Sequence, residues 1–221
     1  VWEEVIIHLP AHVAIIALSA TVSNAEEFGA WIREVRSTCE IIVSEKRPVP
    51  LYQHMIVGED IFDLYAPTGK GKLNPELVAA TRDSGMRGGR GSRSWNREVH
   101  VRRESRPSTL ISLDRARLLP AITFIFSRAG CEDAVRQVLS TRITLTTRSE
   151  AAEIESYVDE VIALLPPEDA IVLGAEAWKR GLMRGIAAHH AGMLPLMKES
   201  VEHLFSRGLV KMVYATETLA L

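Results

Sequence analysis

Short apolar runs alternate along this chain with stretches whose apolar residues recur every three or four positions. His12 to Leu18 is a nearly continuous apolar run of strand length, and Glu40 to Val43, Ala121 to Phe126 and Ile186 to Ala188 are others. The first of these suggests a strand buried on both faces, Glu40 to Val43 suggests another strand, Ala121 to Phe126 is long enough for a sheet interior, and Ile186 to Ala188 suggests a short strand. Val210, Met212 and Tyr214 alternate with Lys211 and Val213 and predict one more. Helical spacing marks Val1 to Leu9, where Pro10 stops the pattern, and a second helix that carries Phe28, Trp31 and Ile32. Ser23 or Asn24 suits the N-cap of that second helix, with Glu26 and Glu27 in its first turn. Further helices are expected over Ala129 to Leu139, over Glu150 to Leu165, and over Glu168 to Gly181 with a bend near Gly174. A last one opens at Pro195, carries Leu196, Val201, Leu204 and Phe205 on one face, and ends at Gly208. Strands alternating with helices predict an α/β fold with parallel sheets flanked by helices.

Between Gln53 and Leu118 the pattern weakens, and only Ile61, Phe62, Leu64 and Tyr65 suggest a short element. A loose tract begins at Gly69-Lys70-Gly71-Lys72 and runs on through Gly88-Gly89-Arg90-Gly91-Ser92-Arg93. Glycine and arginine without apolar periodicity predict a flexible segment. Three parts result: residues 1–52, a linker or insertion over 53–118 that is partly disordered, and residues 119–221.

Composition narrows the classes. The 221 residues suffice for one large or two small domains, and 47% hydrophobic with 24% charged residues is ordinary for a globular protein. A formal charge of −2 carries no overall basic signature, so any contact with nucleic acid must be local. Cys39 and Cys131 are isolated and fit reduced thiols in a cytosolic protein. No apolar run approaches the ~20 residues of a membrane helix. The opening Val1-Trp2-Glu3-Glu4 is not a signal peptide, and the chain is expected to be a fragment at both ends.

Candidate chemistry gathers at strand ends. His189-His190-Ala191-Gly192 and Thr216-Glu217-Thr218 each follow a strand, and in an open α/β sheet ligands sit outside the strands' carboxyl ends. Ser127 and Arg128 follow Ala121 to Phe126 where a helix begins. A helix N-terminus, a hydroxyl and a guanidinium together suit a phosphate, although a capping Ser and a solvated Arg account for the same pair. Adjacent histidines on a strand face opposite sides, which argues against a shared metal. His8 and His12 are separated by Pro10, which breaks the helix that would align their rings. Gly69-Lys70-Gly71-Lys72 lacks the earlier Gly and the following Ser or Thr of a phosphate loop. Arg87-Gly88-Gly89-Arg90-Gly91 suits RNA binding by charge and stacking, or a solvated linker. A Ser or Cys hydrolase has no Gly-x-Ser-x-Gly here to support it.

The stretch HHAGMLPLMKESVEHLFSRGLVKMVYATETLAL resembles the second motor domain of the DExH-box, superfamily 2 helicases of the superkiller (antiviral) type, and it ends inside their motif V. LPAITFIFSRAGCEDAV is similar to motif IV, ALSATVSNAEEFGAWI to motif III, and RPVPLYQHM to the exit from the first motor domain. The resemblance implies parts of two RecA-like domains: the end of the first over 1–52, and the second over 119–221. It implies that Ser19, Ala20 and Thr21 couple the nucleotide site to the nucleic-acid site. Ser127, Arg128, His190, Gly192 and Thr216 would lie against the nucleic acid, and Glu217 and Thr218 would face the nucleotide cleft. The implied parent is a cytoplasmic helicase that uses ATP and Mg²⁺ to move on single-stranded nucleic acid, RNA favoured over DNA, with no membrane partner. The phosphate-loop lysine, the Asp-Glu-x-His box and the arginine-finger motif are absent from these 221 residues, so the chain alone is expected to be inactive and to bind no nucleotide tightly. The alternative is a nucleic-acid-binding module without motor activity.

Overall fold

The computed structural model describes residues 2–18, 24–44, 49–68, 71–87 and 104–219, with backbone only at 83–87 and 218. The chain forms two compact units, Val1–Tyr52 and Gln53–Leu221.

The first unit holds α1 (Trp2–His8) and α2 (Ala25–Arg36). On α2, Phe28 and Trp31 stack with ring centroids 5.7 Å apart. Gly29 lies so close to Ile41 that a β-carbon would stand 2.2 Å from its Cδ1. Arg36 donates to the carbonyls of Leu9, Pro10 and Val13, which ties the turn after α1 to the end of α2. Asn24 stands at the N-cap of α2, but its amide donates to Glu27 rather than capping the backbone. The strands expected at His12 to Leu18 and at Glu40 to Val43 are not formed: no strand is paired in this unit among the described residues. Ile16 and Leu18 are 87% and 92% exposed. An apolar run becomes a strand only where a neighbouring strand takes up its N–H and C=O groups in a ladder, and among the described residues neither run has such a strand beside it.

The second unit begins with a hairpin of β1 (His54–Val57) and β2 (Asp60–Asp63), antiparallel and turned at Gly58 with φ 66°. After it come α3 (Pro75–Arg87), where the Asn74 side chain accepts the Glu76 N–H, and α4 (Arg106–Arg115), where Ser105 accepts the Ser108 N–H. Leu110 on α4 is fully buried, and Ser112 donates to the Glu59 carbonyl at 2.9 Å. The weakly patterned stretch thus contributes a hairpin and two helices, one of which closes part of the core. Gly69, Lys70 and the Gly/Arg tract from 88 to 103 lie outside the described residues.

Beyond it run β3 (Ala121–Phe124), α5 (Arg128–Leu139), α6 (Arg148–Ile162), α7 (Pro167–Val172), α8 (Ala175–Met183), β4 (Ile186–His189), α9 (Pro195–Ser206), β5 (Met212–Ala215) and a 3-10 turn at Glu217–Leu219. The three strands form a parallel sheet in the order β3-β5-β4, with Ala121 and Ile186 both opposite Met212. This is the expected α/β arrangement, a parallel sheet flanked by helices. Alternation along β5 divides the core in two. Met212 and Tyr214 pack with Leu110, Cys131, Ala134 and Val138 on the α4 and α5 side. Val213 and Ala215 pack with Ile154, Val158, Leu182, Val201 and Leu204 on the α6, α8 and α9 side. The bend expected near Gly174 is a break: this glycine takes φ 66° between α7 and α8. A reciprocal cap between Thr147 and Glu150 opens α6. Glu150 also accepts from Lys211 at 2.7 Å, just before β5. That hydrogen bond, with the Thr147 amide second, holds the Glu150 carboxyl down to about 2. No described helix is long and apolar enough to cross a membrane.

Candidate nucleic-acid interface

Three parallel strands end side by side, and their register fixes where the chain leaves the sheet. The Ile125 N–H donates to the Ala215 carbonyl at 2.8 Å, and the Thr216 N–H donates to the His189 carbonyl at 3.1 Å. The first residues beyond the strands, 125–128, 190–193 and 216–217, therefore occupy one rim of the sheet.

On β3's exit, Ser127 is exposed and extended, and it caps α5 by accepting the Gly130 N–H at 3.2 Å. The cap uses an oxygen lone pair, so the hydroxyl proton stays available to an acceptor. The amides of Arg128 and Ala129 precede the first possible intrahelical acceptor. Together with the positive end of the helix dipole they make a position that favours an anion. Arg128 is itself exposed there.

On β4's exit, Gly192 packs under Arg128. A β-carbon at this position would stand 3.3 Å from Arg128 Cδ and 3.2 Å from His190 Nδ1. His190 is buried and both of its ring nitrogens are engaged: Nε2 meets Glu132 Oε1 at 2.9 Å, and Nδ1 accepts the Gly192 N–H at 3.1 Å. His189 faces the other side of the sheet. Its Nε2 lies 2.7 Å from Glu202 on α9, while its Nδ1 is buried without a partner. The two rings point apart, as neighbours on a strand must. Among the described residues no group of three or more His, Cys, Asp or Glu is placed to hold a metal ion.

Thr216 lies on the same rim, at the exit of β5, and is 7% exposed. Its carbonyl accepts the Leu219 N–H at 3.3 Å, closing the short 3-10 turn in which Glu217 is exposed. The side chain of Thr218 and all of Ser19, Ala20 and Thr21 lie outside the described residues. Ser127, Arg128, His190 and Gly192 are thus brought into direct proximity, with Thr216 one strand away. Sequence reasoning missed Glu132, which lies 58 residues from His190 and has no local pattern to mark it. Cys131, beside it, is fully buried, and that burial pushes its thiol up.

A Mg-ATP site does not follow from these residues. Glu217 is a single carboxylate on an exposed turn, and no phosphate loop accompanies it.

No protein-family model matches the chain. It is similar over its whole length to "Probable helicase HelY" of Mycobacterium leprae, 47% identical over 236 residues. It is 39% identical to the chloroplastic DExH-box ATP-dependent RNA helicase DExH15 of Arabidopsis thaliana over 252 residues, and 37% identical to Superkiller complex protein 2 of Mus musculus over 240. The chain spans 25%, 21% and 19% of these relatives, a quarter of their length or less. Matched from end to end by such proteins, and carrying the parallel sheet and strand-end motifs described above, the chain belongs, as a partial sequence, to the DExH-box helicases of the HelY and superkiller type.

Proposed function

We propose that this chain is part of an ATP-driven motor that moves along a single strand of RNA, and that the rim of its second unit grips the strand's phosphates. One observation carries the reading: Ser127, Arg128, Gly192 and Thr216 come from three different strand ends and meet on one edge of the sheet. A hydroxyl, a guanidinium and the free amides of a helix N-terminus offer charge and donors without reading base edges. Such contacts suit a motor that must hold every sequence alike. Thr216, at the exit of the central strand, is a second hydroxyl for the same backbone. RNA is favoured over DNA because one of the relatives is a named DExH-box ATP-dependent RNA helicase. The rest of the motor includes the residues that bind Mg²⁺ and ATP, and the chain alone turns over no ATP. The cell compartment proposed is the cytoplasm.

The test is equilibrium binding of the 221-residue chain to fluorescein-labelled single-stranded RNA, single-stranded DNA and duplex RNA across a salt series, with ATP hydrolysis measured in parallel. Expected are a preference for single-stranded RNA, an affinity that falls linearly with log salt, and background ATPase. Thr216→Ala is expected to weaken strand binding in the intact helicase while leaving ATP affinity little changed. Nucleic-acid-stimulated ATPase by the 221-residue chain, or equal loss of both affinities in the Thr216 variant, overturns the reading.

A further inference from the structure

A carboxylate beside a phosphate-binding rim works against it, since it repels the strand that Arg128 and the α5 amides attract. Glu132 is such a carboxylate. It sits one turn into α5, and its Oε1 is 2.9 Å from His190 Nε2. Its place there is explained by what it does to the imidazole. The Gly192 N–H donates to Nδ1, so Nδ1 carries no proton and the single ring proton is on Nε2. That proton needs an acceptor in a buried site, and Glu132 supplies it. With both nitrogens used, the ring is fixed in one tautomer and one orientation. The tight turn over His190 to Met193, closed by the Met193 N–H on the His190 carbonyl at 3.1 Å, is then pinned to α5. Gly192 lies against Arg128, and a β-carbon there would stand 3.3 Å from Cδ and press on the arginine's stem.

We infer that Glu132 and His190 are positioning residues for the rim. The chain Glu132–His190–Gly192 locks the turn after β4 against the N-terminus of α5, and so sets the direction in which Arg128 reaches the phosphate. His190 itself makes no contact with the strand, because it is buried and its ring nitrogens are both engaged within the unit. This inference rests on the phosphate-gripping role proposed for the rim.

Charge and geometry predict opposite results, which makes the inference testable. If Glu132 acted only through its charge, removing the charge by either Glu132→Gln or Glu132→Ala would tighten binding to RNA. If it positions His190, Glu132→Gln keeps an acceptor for Nε2–H and binds at least as tightly as the unaltered chain. Glu132→Ala loses the acceptor and binds about three- to tenfold more weakly, with the salt slope reduced by about 0.7, the loss of one phosphate contact. The measurement is anisotropy of labelled oligouridine RNA with the whole 221-residue chain. Thermal unfolding is followed alongside, and Glu153→Ala, which removes a surface ion pair with Arg207 on the same unit, serves as the stability control. Binding loss in Glu132→Ala with an unfolding midpoint matching that control, rescued in Glu132→Gln, supports the inference. Equal or tighter binding by both Glu132 variants overturns it while leaving the rim intact, provided Ser127→Ala and Arg128→Ala bind more weakly. Equal loss in both Glu132 variants also overturns it. If the Ser127 and Arg128 variants bind like the unaltered chain, the rim reading fails, and the inference falls with it.

Discussion

Val1–Tyr52 and Gln53–Leu221 carry apolar runs of similar length, yet among the described residues only the second turns them into a sheet. In the first unit Ile6 is the one buried large hydrophobic residue among those described, and residues 14–18 follow the turn after α1 with no regular secondary structure and no paired strand among the described residues. In the second unit Ile186 to Ala188 and Met212 to Ala215 are buried on every residue. The difference lies in neighbours rather than in propensity. β5 has a strand on each side and a helical layer on each face, so all its backbone groups and both sets of side chains leave water. A run without flanking strands gains none of this and stays exposed, whatever its β-propensity.

The contrast can be broken or sharpened by measurement. The largest expected effect is from Leu204→Ala on α9, which removes a fully buried side chain from the core under β5. It is expected to destabilise the second unit by about 3 kcal/mol, read as a lower urea midpoint by far-UV circular dichroism. A change below about 1 kcal/mol would mean that the core is looser than its burial implies.

Glu150→Gln is expected to have a smaller effect, about 2 kcal/mol at neutral pH, because the Lys211 partner is lost while the cap to Thr147 is only weakened. The sign with pH follows from the depressed carboxyl, about 2 in the folded chain against an ordinary 4.5. The folded state binds the proton less readily, so this contribution is whole above about pH 4.5 and fades as pH falls toward 2. Acid titrations of stability in the two forms should therefore converge toward pH 2; parallel curves would remove Lys211 and Thr147 as the cause.

Leu18→Ser should change stability least, within about 0.5 kcal/mol, since Leu18 is almost fully exposed. A large loss in the same urea titration would show that Leu18 is covered in solution and would erase the contrast. Hydrogen exchange offers a finer reading of it. Amides of β5 should exchange most slowly in the chain, and those of residues 14–18 fastest, because the latter have no ladder to open.

How much was legible beforehand depended on whether the deciding contact was local. The helices α5, α6 and α9 follow directly from their apolar spacing, with Ser127 and Pro195 marking the starts of α5 and α9, because a helix satisfies its own backbone; the Thr147 cap that opens α6 lies ahead of the predicted start at Glu150. Of the hairpin β1–β2 only the short element around Ile61 and Phe62 is legible, and helices α3 and α4 are not predicted, although Asn74-Pro75-Glu76 and Ser105-Arg106-Pro107 are helix-start signals. The Gly/Arg tract between α3 and α4 carries no apolar periodicity, so the stretch as a whole has the pattern of a linker. For the rim, the position of each polar cluster at a strand end was readable, since strands in an α/β unit run one way. The partners of those clusters were not: Glu132 meets His190 across 58 residues, and Glu202 meets His189 only because α9 folds back on the sheet.

The chain's sequence by itself determined the helices of residues 119–221, the alternation of strand and helix there, and the polar residues that follow each of those strands, because each depends on neighbours within a few positions. Tertiary structure alone decided which apolar runs found strands beside them, which face each histidine took, and which carboxylate fixed its proton. Those outcomes depend on hydrogen bonds and burial between segments far apart in the chain, and no local pattern encodes the meeting.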